Sequence, residues 1–417
     1  MEDLLFLVHR LPYPPNKGDK IRSWNVLSYL APRYRVHVGT FVDDPNDWDH
    51  VAAVREACAE LHVAVLRPGH ARLRSAKALV TGEPLTLPYY HDPGLQAWVH
   101  STLRTYNITR VLVYSAAMAQ YVIRHLRPEL RSVIDFVDVD SDKWRQYSGR
   151  KRWPTSWLYK REHRNLLRYE RIVAARFDAS IFVSRAEAEL FKTCAPEVAE
   201  RVVHIENGVD TDYFSPSEDY PNPYPPGDKV LVFTGAMDYW PNVDAVQWFV
   251  SEIFPTVRRR VQACRFYIVG AHPVQAVREL AYQAGVHVTG MVSDVRPYLA
   301  HAHAAVVPLR IARGVQNKIL EAMAMAKSVV ATPAAMAGIK PCPVLANLVA
   351  DGANALADRA VELLCTDNGS ALGELGRRFV LNSYNWTSNM ERLRQVLEAD
   401  TSPVAHAPGS GRPADQD

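Results

Sequence analysis

A lysine and a glutamate three residues apart mark the stretch of this chain best suited to chemistry. Lys318 and Glu321 follow a buried apolar run at residues 304–307 and a loop that contains Gly314. Their spacing places both on one face of a helix, and the start of a helix offers free backbone N–H groups that favour phosphate. The arrangement suits a nucleoside diphosphate, with phosphates against Lys318 and the helix end, and ribose hydroxyls against Glu321. A solvated helix start is the alternative.

Two further sets of residues lie just past predicted strands. Gly18, Lys20 and Arg22 form a loop and helix start that could face a phosphate, because ligands bind beyond the carboxyl ends of parallel strands. A basic loop without a Walker A or G-x-G-x-x-G pattern is, however, more often simply solvated. Asp138 and Asp140 could orient hydroxyls or act as a base, although helix capping is the plainer interpretation.

Glycines follow three predicted strands of the second half, at Gly235, Gly270 and Gly290. A backbone without side chains can approach a nucleotide closely at such points. Ordinary turn chemistry is the alternative. Asn242 and Met291 lie in the same loops and are candidate contacts as well.

The alternation of strands and helices predicts how these residues are positioned. Helical patterns such as 21–30 and 118–126 separate the apolar strands of the first half, at 4–9, 35–41, 61–66, 110–114, 133–137 and 179–183. This alternation predicts βαβ units around a mostly parallel sheet. The same rhythm restarts in the second half, with strands at 230–233, 265–269, 286–289, 304–307 and 329–332.

A proline-rich run at residues 219–227 separates the two halves, and it can neither continue a helix nor pair as a central strand. We therefore predict an N-terminal domain at 1–215, a linker at 216–228 and a C-terminal domain at 229–385. A helix at 386–400 follows. The tail at 401–417 lacks large apolar residues and is predicted to be disordered.

The composition fits two globular domains. The chain has 417 residues, of which 48% are hydrophobic and 10% aromatic, enough to fill two cores. A formal net charge of +3 gives no general argument for nucleic acid. The five scattered cysteines indicate a reducing compartment. The first apolar run is too short and too acidic for a secretory signal, so we expect a cytoplasmic protein.

The Lys318–Glu321 segment resembles the donor-site helix of family 4 retaining glycosyltransferases. The resemblance implies a GT-B fold: α/β, two facing Rossmann-like domains with mostly parallel sheets, and a C-terminal helix that crosses back to the first domain. In that family the second glutamate of an E-x7-E pair binds the ribose, and Glu321 matches it. The first glutamate is replaced here by Arg313.

The resemblance also assigns roles to the loops. It implies that Gly18 faces the donor diphosphate across the cleft, and that the loops of the second domain surround the base and diphosphate. The candidate donor-binding residues are therefore Gly18, Lys20, Arg22, Gly235, Asn242, Gly270, Met291, Gly314, Lys318 and Glu321. The candidate catalytic residues are Lys318, Arg310, Asp138 and Asp140. No residue equivalent to the family's first-domain histidine is found.

A narrower resemblance rests on two motifs. Residues 9–22, HRLPYPPNKGDKIR, and residues 135–144, DFVDVDSDKW, are similar to glycosyltransferases of the PEP-CTERM/exosortase-associated exopolysaccharide systems. This likeness spans about residues 3–398 and implies transfer of a sugar from a UDP- or GDP-linked donor. The acceptor would be a glycan or a polyprenyl-linked glycan.

No metal site or cofactor is expected. His301 and His303 flank a predicted buried strand without a third ligand nearby, so a structural role is the better interpretation. The resembling family likewise works without a catalytic metal.

A basic and aromatic segment at residues 143–176 allows two interpretations. Eleven Lys and Arg residues oppose two glutamates there, and tryptophans such as Trp153 and Trp157 suit a headgroup boundary. Docking to an anionic membrane would require Arg150, Lys151, Arg152, Lys160 and Arg161 jointly. A solvated helix is the alternative. Binding of single-stranded nucleic acid is disfavoured because no recognised module frames the segment.

The sequence thus predicts a metal-independent hexosyltransferase of exopolysaccharide synthesis, located in the cytoplasm and able to contact the inner face of the plasma membrane. A nucleotide-sugar epimerase on the same fold and a non-catalytic nucleotide-sugar-binding protein remain open. A nicotinamide enzyme is disfavoured by the absence of a G-x-G-x-x-G motif.

Overall fold

A computed structural model of the chain describes residues 1–149, 152–312, 314–342, 346, 348–366 and 368–399. The positions Arg150, Lys151 and Arg313 lie outside the described residues, as does the predicted tail at 401–417.

The first domain is built on a seven-stranded sheet in the order β3-β2-β1-β4-β5-β6-β7, and every strand pair in it is parallel. Its strands are β1 Asp3–Val8, β2 Arg35–Val42, β3 Glu60–Val65, β4 Ile108–Tyr114, β5 Arg131–Val137, β6 Ala179–Phe182 and β7 Val202–His204. The predicted strands correspond to β1 through β6, and the short β7 is an addition.

Helices cover both faces of this sheet. They are α1 Gly18–Leu30, α2 Val51–Glu56, α3 Pro68–Ser75, α4 Ala78–Thr81, α5 Thr86–Tyr89, α6 Pro93–Thr105, α7 Asp140–Ser148, α8 Thr155–Arg176 and α9 Arg185–Cys194. The helix predicted at 118–126 is wrong, since the chain forms a 3-10 helix at Ala116–Tyr121 instead. That connection is buried against the core on nearly every side, which leaves no exposed face for a regular amphipathic helix.

The second domain has a five-stranded parallel sheet in the order β10-β9-β8-β11-β12. Its strands are β8 Lys229–Thr234, β9 Cys264–Val269, β10 Val286–Gly290, β11 Ala304–Val307 and β12 Val329–Ala331. Its helices are α10 Trp240–Trp248, α11 Phe254–Arg260, α12 Gln275–Arg278, α13 Arg296–His301, α14 Asn317–Ala324, α15 Pro333–Met336, α16 Ala353–Cys365 and α17 Asn368–Ser383.

The final helix, α18 Trp386–Glu398, returns to the first domain. Its Met390, Leu393 and Leu397 join the core that surrounds β1. Arg131 at the start of β5 donates to the carbonyl of Val396 at 2.9 Å. Two parallel-sheet Rossmann-like domains with a helix that crosses back confirm the predicted GT-B fold.

The proline-rich segment between the sheets is anchored to the second domain. Tyr220 and Tyr224 are buried in that domain's core, and the Tyr224 hydroxyl donates to the carbonyl of Tyr298 at 2.6 Å. The exact domain limits given above stay a prediction.

Candidate active site between the two domains

The carboxyl ends of the two sheets meet at a cleft, where two helices begin opposite each other. A Cβ placed on Gly18, the first residue of α1, would lie 3.7 Å from the side-chain nitrogen of Asn317, the first residue of α14. Free N–H groups at both helix starts favour an anion between them. The structure therefore places Gly18 and Asn317 on opposite walls of one candidate phosphate site.

Lys318 is held at this point by the second domain. Its Nζ donates to Asn242 Oδ1 at 2.6 Å and lies 4.5 Å from the centre of the Phe233 ring. Asn242 in turn donates through Nδ2 to the carbonyl of Ala236 at 2.9 Å, which orients its oxygen toward the lysine. This support fixes the cation at the cleft without neutralising its charge.

Burial changes the protonation of Lys318 and Glu321. Loss of water around the ammonium lowers the pKa of Lys318 to about 8, while the nearby Glu321 carboxylate acts in the opposite direction. Burial likewise raises the pKa of Glu321 to about 7, opposed by Lys318. Both groups therefore titrate close to neutral pH, as groups at functional sites often do.

Gly235 and Gly270 bring the ends of β8 and β9 together more closely than side chains would permit. A Cβ on Gly235 would lie 2.8 Å from Asn242 Nδ2 and 3.1 Å from Lys318 Nζ, and a Cβ on Gly270 would collide with the carbonyl of Gly235. Gly235 also has a φ of 152°. Beyond β10, Met291 is 78% exposed at the outer end of the same loops.

Gly314 faces the first domain across the cleft. Its φ is 60°, and a Cβ there would collide with the Asp138 carboxylate. The structure therefore brings the predicted residues Gly314 and Asp138 together, and only glycine fits at position 314.

Asp138 and Asp140 share one cation. Lys143 Nζ lies 2.9 Å from Asp138 Oδ2 and 2.8 Å from Asp140 Oδ1, and the two carboxylates raise the pKa of the lysine against the opposing effect of burial. Val137, just before Asp138, has a φ of 69°, a strained value for a β-branched residue. With this backbone, Asp138 comes to lie against Gly314 of the second domain.

Four buried polar atoms around the cleft lack a hydrogen-bond partner within the described part of the chain: His9 Nδ1, Tyr114 Oη, Asp138 Oδ1 and Asn317 Oδ1. His9 follows β1 and stacks on Tyr114 at the end of β4, with ring centres 5.6 Å apart. Leaving such atoms unpaired is costly, and hydroxyl groups of a bound ligand would satisfy them.

Sequence reasoning missed His9, Tyr114 and Asn317 as site residues. Their position directly after β1 and β4 and at the start of α14 was the available signal, because these are the points where parallel sheets bind ligands. Nothing in their residue types distinguished them from ordinary polar residues of a core.

Lys20 and Arg22 do not lie in the donor site, where they were predicted. Lys20 Nζ lies 2.6 Å from Asp47 Oδ1, and Arg22 Nε lies 2.7 Å from Asp135 Oδ2, with all four side chains buried. Arg22 also donates to Asn207 Oδ1 at 3.0 Å. Both cations sit on the faces of α1 that pack into the first domain, so we withdraw them from the donor-binding set.

Arg310 lies at the rim of the cleft rather than deep within it. Its guanidinium makes two hydrogen bonds to the Asp244 carboxylate, at 3.0 and 2.5 Å, and 41% of the side chain is exposed. It lines a polar groove between the domains together with Arg145, Gln146, Gly149, Ile311, Ala312 and Ala334. Asn242 and Asp244, two residues apart on α10, thus support Lys318 and Arg310 respectively.

Both histidines considered for metal binding make structural hydrogen bonds. His301 Nε2 bonds to the carbonyl of Tyr220 at 2.7 Å, and His303 Nδ1 accepts from the amide of Val230 at 3.1 Å. The described residues contain no group of three or more His, Cys, Asp or Glu side chains that could hold a metal ion.

The basic segment at 143–176 is only partly available to a partner. Arg161 is buried and donates to the carbonyls of Ala78 and Glu83, so it cannot belong to a surface charge patch as predicted. Lys160 and Arg152 are exposed. In the part of the chain that the structure describes, no helix is long and apolar enough to span a membrane.

Comparison with known proteins agrees with this architecture. Residues 228–366 match the family described as "Glycosyl transferases group 1". A search of curated proteins found no match to the chain.

Three solved structures have the same fold over nearly their whole length. A glycosyltransferase from Rickettsia africae is 15% identical over 95% of this chain and 99% of its own, with a TM-score of 0.64. Alr3699/HepE from Anabaena, solved with UDP and glucose, is 14% identical over 96% and 100%, with a TM-score of 0.67. WaaG, a glycosyltransferase involved in lipopolysaccharide biosynthesis, is 17% identical over 95% and 100%, with a TM-score of 0.65.

At these identities the solved structures establish the fold, while the family match concerns the domain that carries Lys318 and Glu321. Residues 228–366 thus match the Glycosyl transferases group 1 family, within a chain whose overall structure is the two-domain GT-B fold.

Proposed function

We propose that this protein is a retaining hexosyltransferase that moves a sugar from a nucleotide-diphosphate donor onto a glycan or lipid-linked glycan in exopolysaccharide synthesis. The donor binds the domain at 229–385, and the acceptor approaches from the domain at 1–215. The reaction takes place on the cytoplasmic side of the membrane.

One observation carries the proposal. Lys318 and Glu321 lie on one face of α14, at a helix start that faces a second helix start across the cleft. A diphosphate between the two helix starts would meet free N–H groups and the Lys318 ammonium, which Asn242 holds in place. Glu321, one turn further along α14, would accept hydrogen bonds from the ribose hydroxyls.

The donor sugar would lie on the first-domain side of the diphosphate. His9, Tyr114 and Asp138 each have a buried polar atom there without a partner among the described residues. Sugar hydroxyls can donate to and accept from such atoms. Gly314 of the second domain packs directly against the Asp138 carboxylate, so this side of the site is closed by backbone alone.

The acceptor would enter through the groove between Arg145 and Arg310. In the transfer step the bond from the anomeric carbon to the diphosphate oxygen breaks, and a bond from that carbon to the acceptor oxygen forms on the same face. The acceptor hydroxyl loses its proton to Asp138 or to the departing diphosphate. Lys318 and the N–H groups of α14 stabilise the charge that develops on the leaving group.

A binding screen followed by product analysis tests the proposal. Thermal unfolding is recorded with UDP-glucose, UDP-N-acetylglucosamine and GDP-mannose, because a ligand specific for the folded state must raise the midpoint. At least one donor is expected to raise it in the wild type and to have a smaller effect in Glu321→Ala. UDP-linked donors come first because Alr3699/HepE has been solved with UDP and with UDP-glucose.

The outcomes separate the alternatives. A bound donor that is transferred to an acceptor in the presence of EDTA supports a metal-independent transferase. Conversion of the nucleotide sugar into an epimer without any acceptor would indicate an epimerase instead. Binding without either product would indicate a non-catalytic protein, and no binding by any nucleotide sugar would overturn the proposal.

A further inference from the structure

The solvent face of helices α3 and α4 is apolar and basic, which is unusual for an exposed helix. Ala76 and Lys77 between the two helices have right-handed helical backbone angles, so residues 68–81 turn almost as one helix. Ala71, Ser75 and Ala78 face inward and are buried, whereas Leu73 and Val80 are 75% and 91% exposed. The hydrophobic residues of the outer face therefore have no partner in the described chain.

This face is mainly basic, and its nearest acid along the chain is the exposed Glu83, just past α4. Residues 67–82 contain Arg67, Arg72, Arg74 and Lys77, and neither Asp nor Glu. Arg74 is used internally, since it donates to the carbonyls of Pro88 and Tyr89. Arg67, Arg72 and Lys77 are exposed beside Leu73 and Val80. Cations that flank exposed apolar side chains are the composition of a face that lies on anionic lipid.

The start of α8 extends the same surface. Arg161 on α8 donates to the carbonyl of Ala78 on α4, and the Glu162 carboxylate accepts from the amide of Leu85, just before α5, at 2.9 Å. These bonds join α8 to α4 and to the start of α5. Trp157 lies one helical turn before Arg161 and is 53% exposed. Trp153, just before α8, is 81% exposed. Tryptophan is the side chain best suited to a membrane interface.

The whole set can be named the α3–α8 surface: Leu73, Leu79, Val80, Trp153 and Trp157, with Arg67, Arg72, Lys77, Arg152 and Lys160. Its five hydrophobic members are among sixteen exposed large hydrophobic side chains in the described residues. Exposed apolar side chains are ordinary singly, but a cluster of this kind marks an interaction site.

We infer that the α3–α8 surface docks the first domain onto an anionic lipid bilayer. Leu73, Val80 and the two tryptophans insert among the headgroups, and the cations contact lipid phosphates. The surface differs from the charge patch predicted from residues 143–176, because its apolar insertion comes largely from α3 and α4, and Arg161 serves to join α4 to α8.

Given the proposed function, the location of this surface explains what docking achieves: it brings the acceptor groove close to the membrane. Gly149 lines the acceptor groove, and Trp153 follows four residues later. Four residues span at most about 14 Å of extended chain. A membrane in contact with Trp153 therefore lies within reach of the groove, so an acceptor with a lipid pyrophosphate anchor could enter without leaving the bilayer.

Vesicle co-sedimentation of the full chain tests the docking. The probes are vesicles of phosphatidylcholine alone and vesicles containing three parts in ten of phosphatidylglycerol, at low and at high salt. The wild type is expected to bind the anionic vesicles at low salt, with release as salt increases. Tryptophan emission should shift to shorter wavelength on binding, and the shift should shrink in a Trp153→Phe, Trp157→Phe variant.

Two variants separate insertion from charge. Leu73→Ser with Val80→Ser should lower binding at least tenfold while the unfolding midpoint stays unchanged, because both side chains are exposed. Arg72→Gln with Lys77→Gln should lower it about fivefold per cation at low salt and have little effect at high salt. The matched controls are Tyr282→Ser with Leu381→Ser, and Arg278→Gln with Arg378→Gln, all exposed positions of the second domain.

Absence of wild-type binding to anionic vesicles at low salt would overturn the inference and leave an acidic protein as the better occupant. Equal binding by the Leu73→Ser, Val80→Ser variant would overturn it as well. Vesicle binding requires neither donor nor acceptor. Docking with no affinity for nucleotide sugars would therefore refute the proposed function alone, and the reverse result would refute the docking alone.

Discussion

Donor affinity should pass through a maximum between about pH 7 and pH 8, because two groups of opposite charge at the site titrate there. Lys318 has a pKa lowered to about 8 by burial, and Glu321 has a pKa raised to about 7 by burial. The diphosphate requires the protonated lysine and the ribose requires the ionised glutamate. Since the two groups interact, the measured values belong to the pair.

The size of the effect follows from the pKa values. One unit above the lysine pKa, about one molecule in ten still carries the ammonium, so affinity should fall about tenfold, or about 1.4 kcal/mol. One unit below the glutamate pKa, a similar loss is expected as the carboxylate becomes protonated. Donor binding should take up a proton above the maximum and release one below it.

Titration calorimetry with UDP-glucose, or with whichever donor the screen selects, from pH 6 to pH 9 measures this profile. Buffers of different ionisation enthalpy report the proton uptake directly. Glu321→Gln should remove the acidic limb and Lys318→Met the alkaline limb, while Glu321→Ala should cost about 2 kcal/mol of binding near the optimum.

An exposed pair on α9 provides the control. Glu189 and Lys192 are also three residues apart, with 3.0 Å between their charged atoms, but they lie on the surface of the first domain. Glu189→Gln with Lys192→Met should leave the profile unchanged. A dissociation constant that varies less than twofold from pH 6 to pH 9 would refute the reasoning, as would limbs that persist in both site variants.

Three further predictions concern the rim of the cleft and the first domain. Lys318→Ala should lower kcat strongly while changing the unfolding midpoint little, and a wild-type kcat for this variant would remove Lys318 from the mechanism. Arg310→Ala, at the exposed rim, should mainly raise KM for the acceptor. Burial raises the pKa of Glu170 from 4.5 to about 8, so its stabilising contribution is complete below pH 4.5 and is lost as the pH rises to 8. Relative to wild type, the free energy of unfolding of Glu170→Gln should therefore increase by about 1.4 kcal/mol per pH unit across that window. Parallel pH–stability curves from urea unfolding would contradict this. Arg22→Met leaves Asp135 buried without its cation and should lower the free energy of unfolding by about 3–5 kcal/mol. If the pair acts only within the fold, adding Asp135→Leu should restore most of that stability.

The two sides of the cleft differ in how far the sequence alone predicts their residues. On the second-domain side, Lys318 and Glu321 share a helix face by local periodicity alone, and their helix follows a strand whose apolar run is evident. On the first-domain side, Lys20 and Arg22 looked equally suited to phosphate. Their carboxylate partners stand 27 and 113 residues away, so only folding could show that both cations are internal.

The sequence by itself determined the strand rhythm, the two sheets and the helix that carries Lys318, because these depend on the order of near neighbours along the chain. The tertiary structure alone decided that His9 stacks on Tyr114 past the ends of β1 and β4 and that Gly314 meets Asp138. It also decided that α3 and α4 leave Leu73 and Val80 exposed and that α8 leaves Trp157 exposed. These contacts join residues distant in sequence, and which charges are buried or which apolar faces stay uncovered is settled only when whole elements pack.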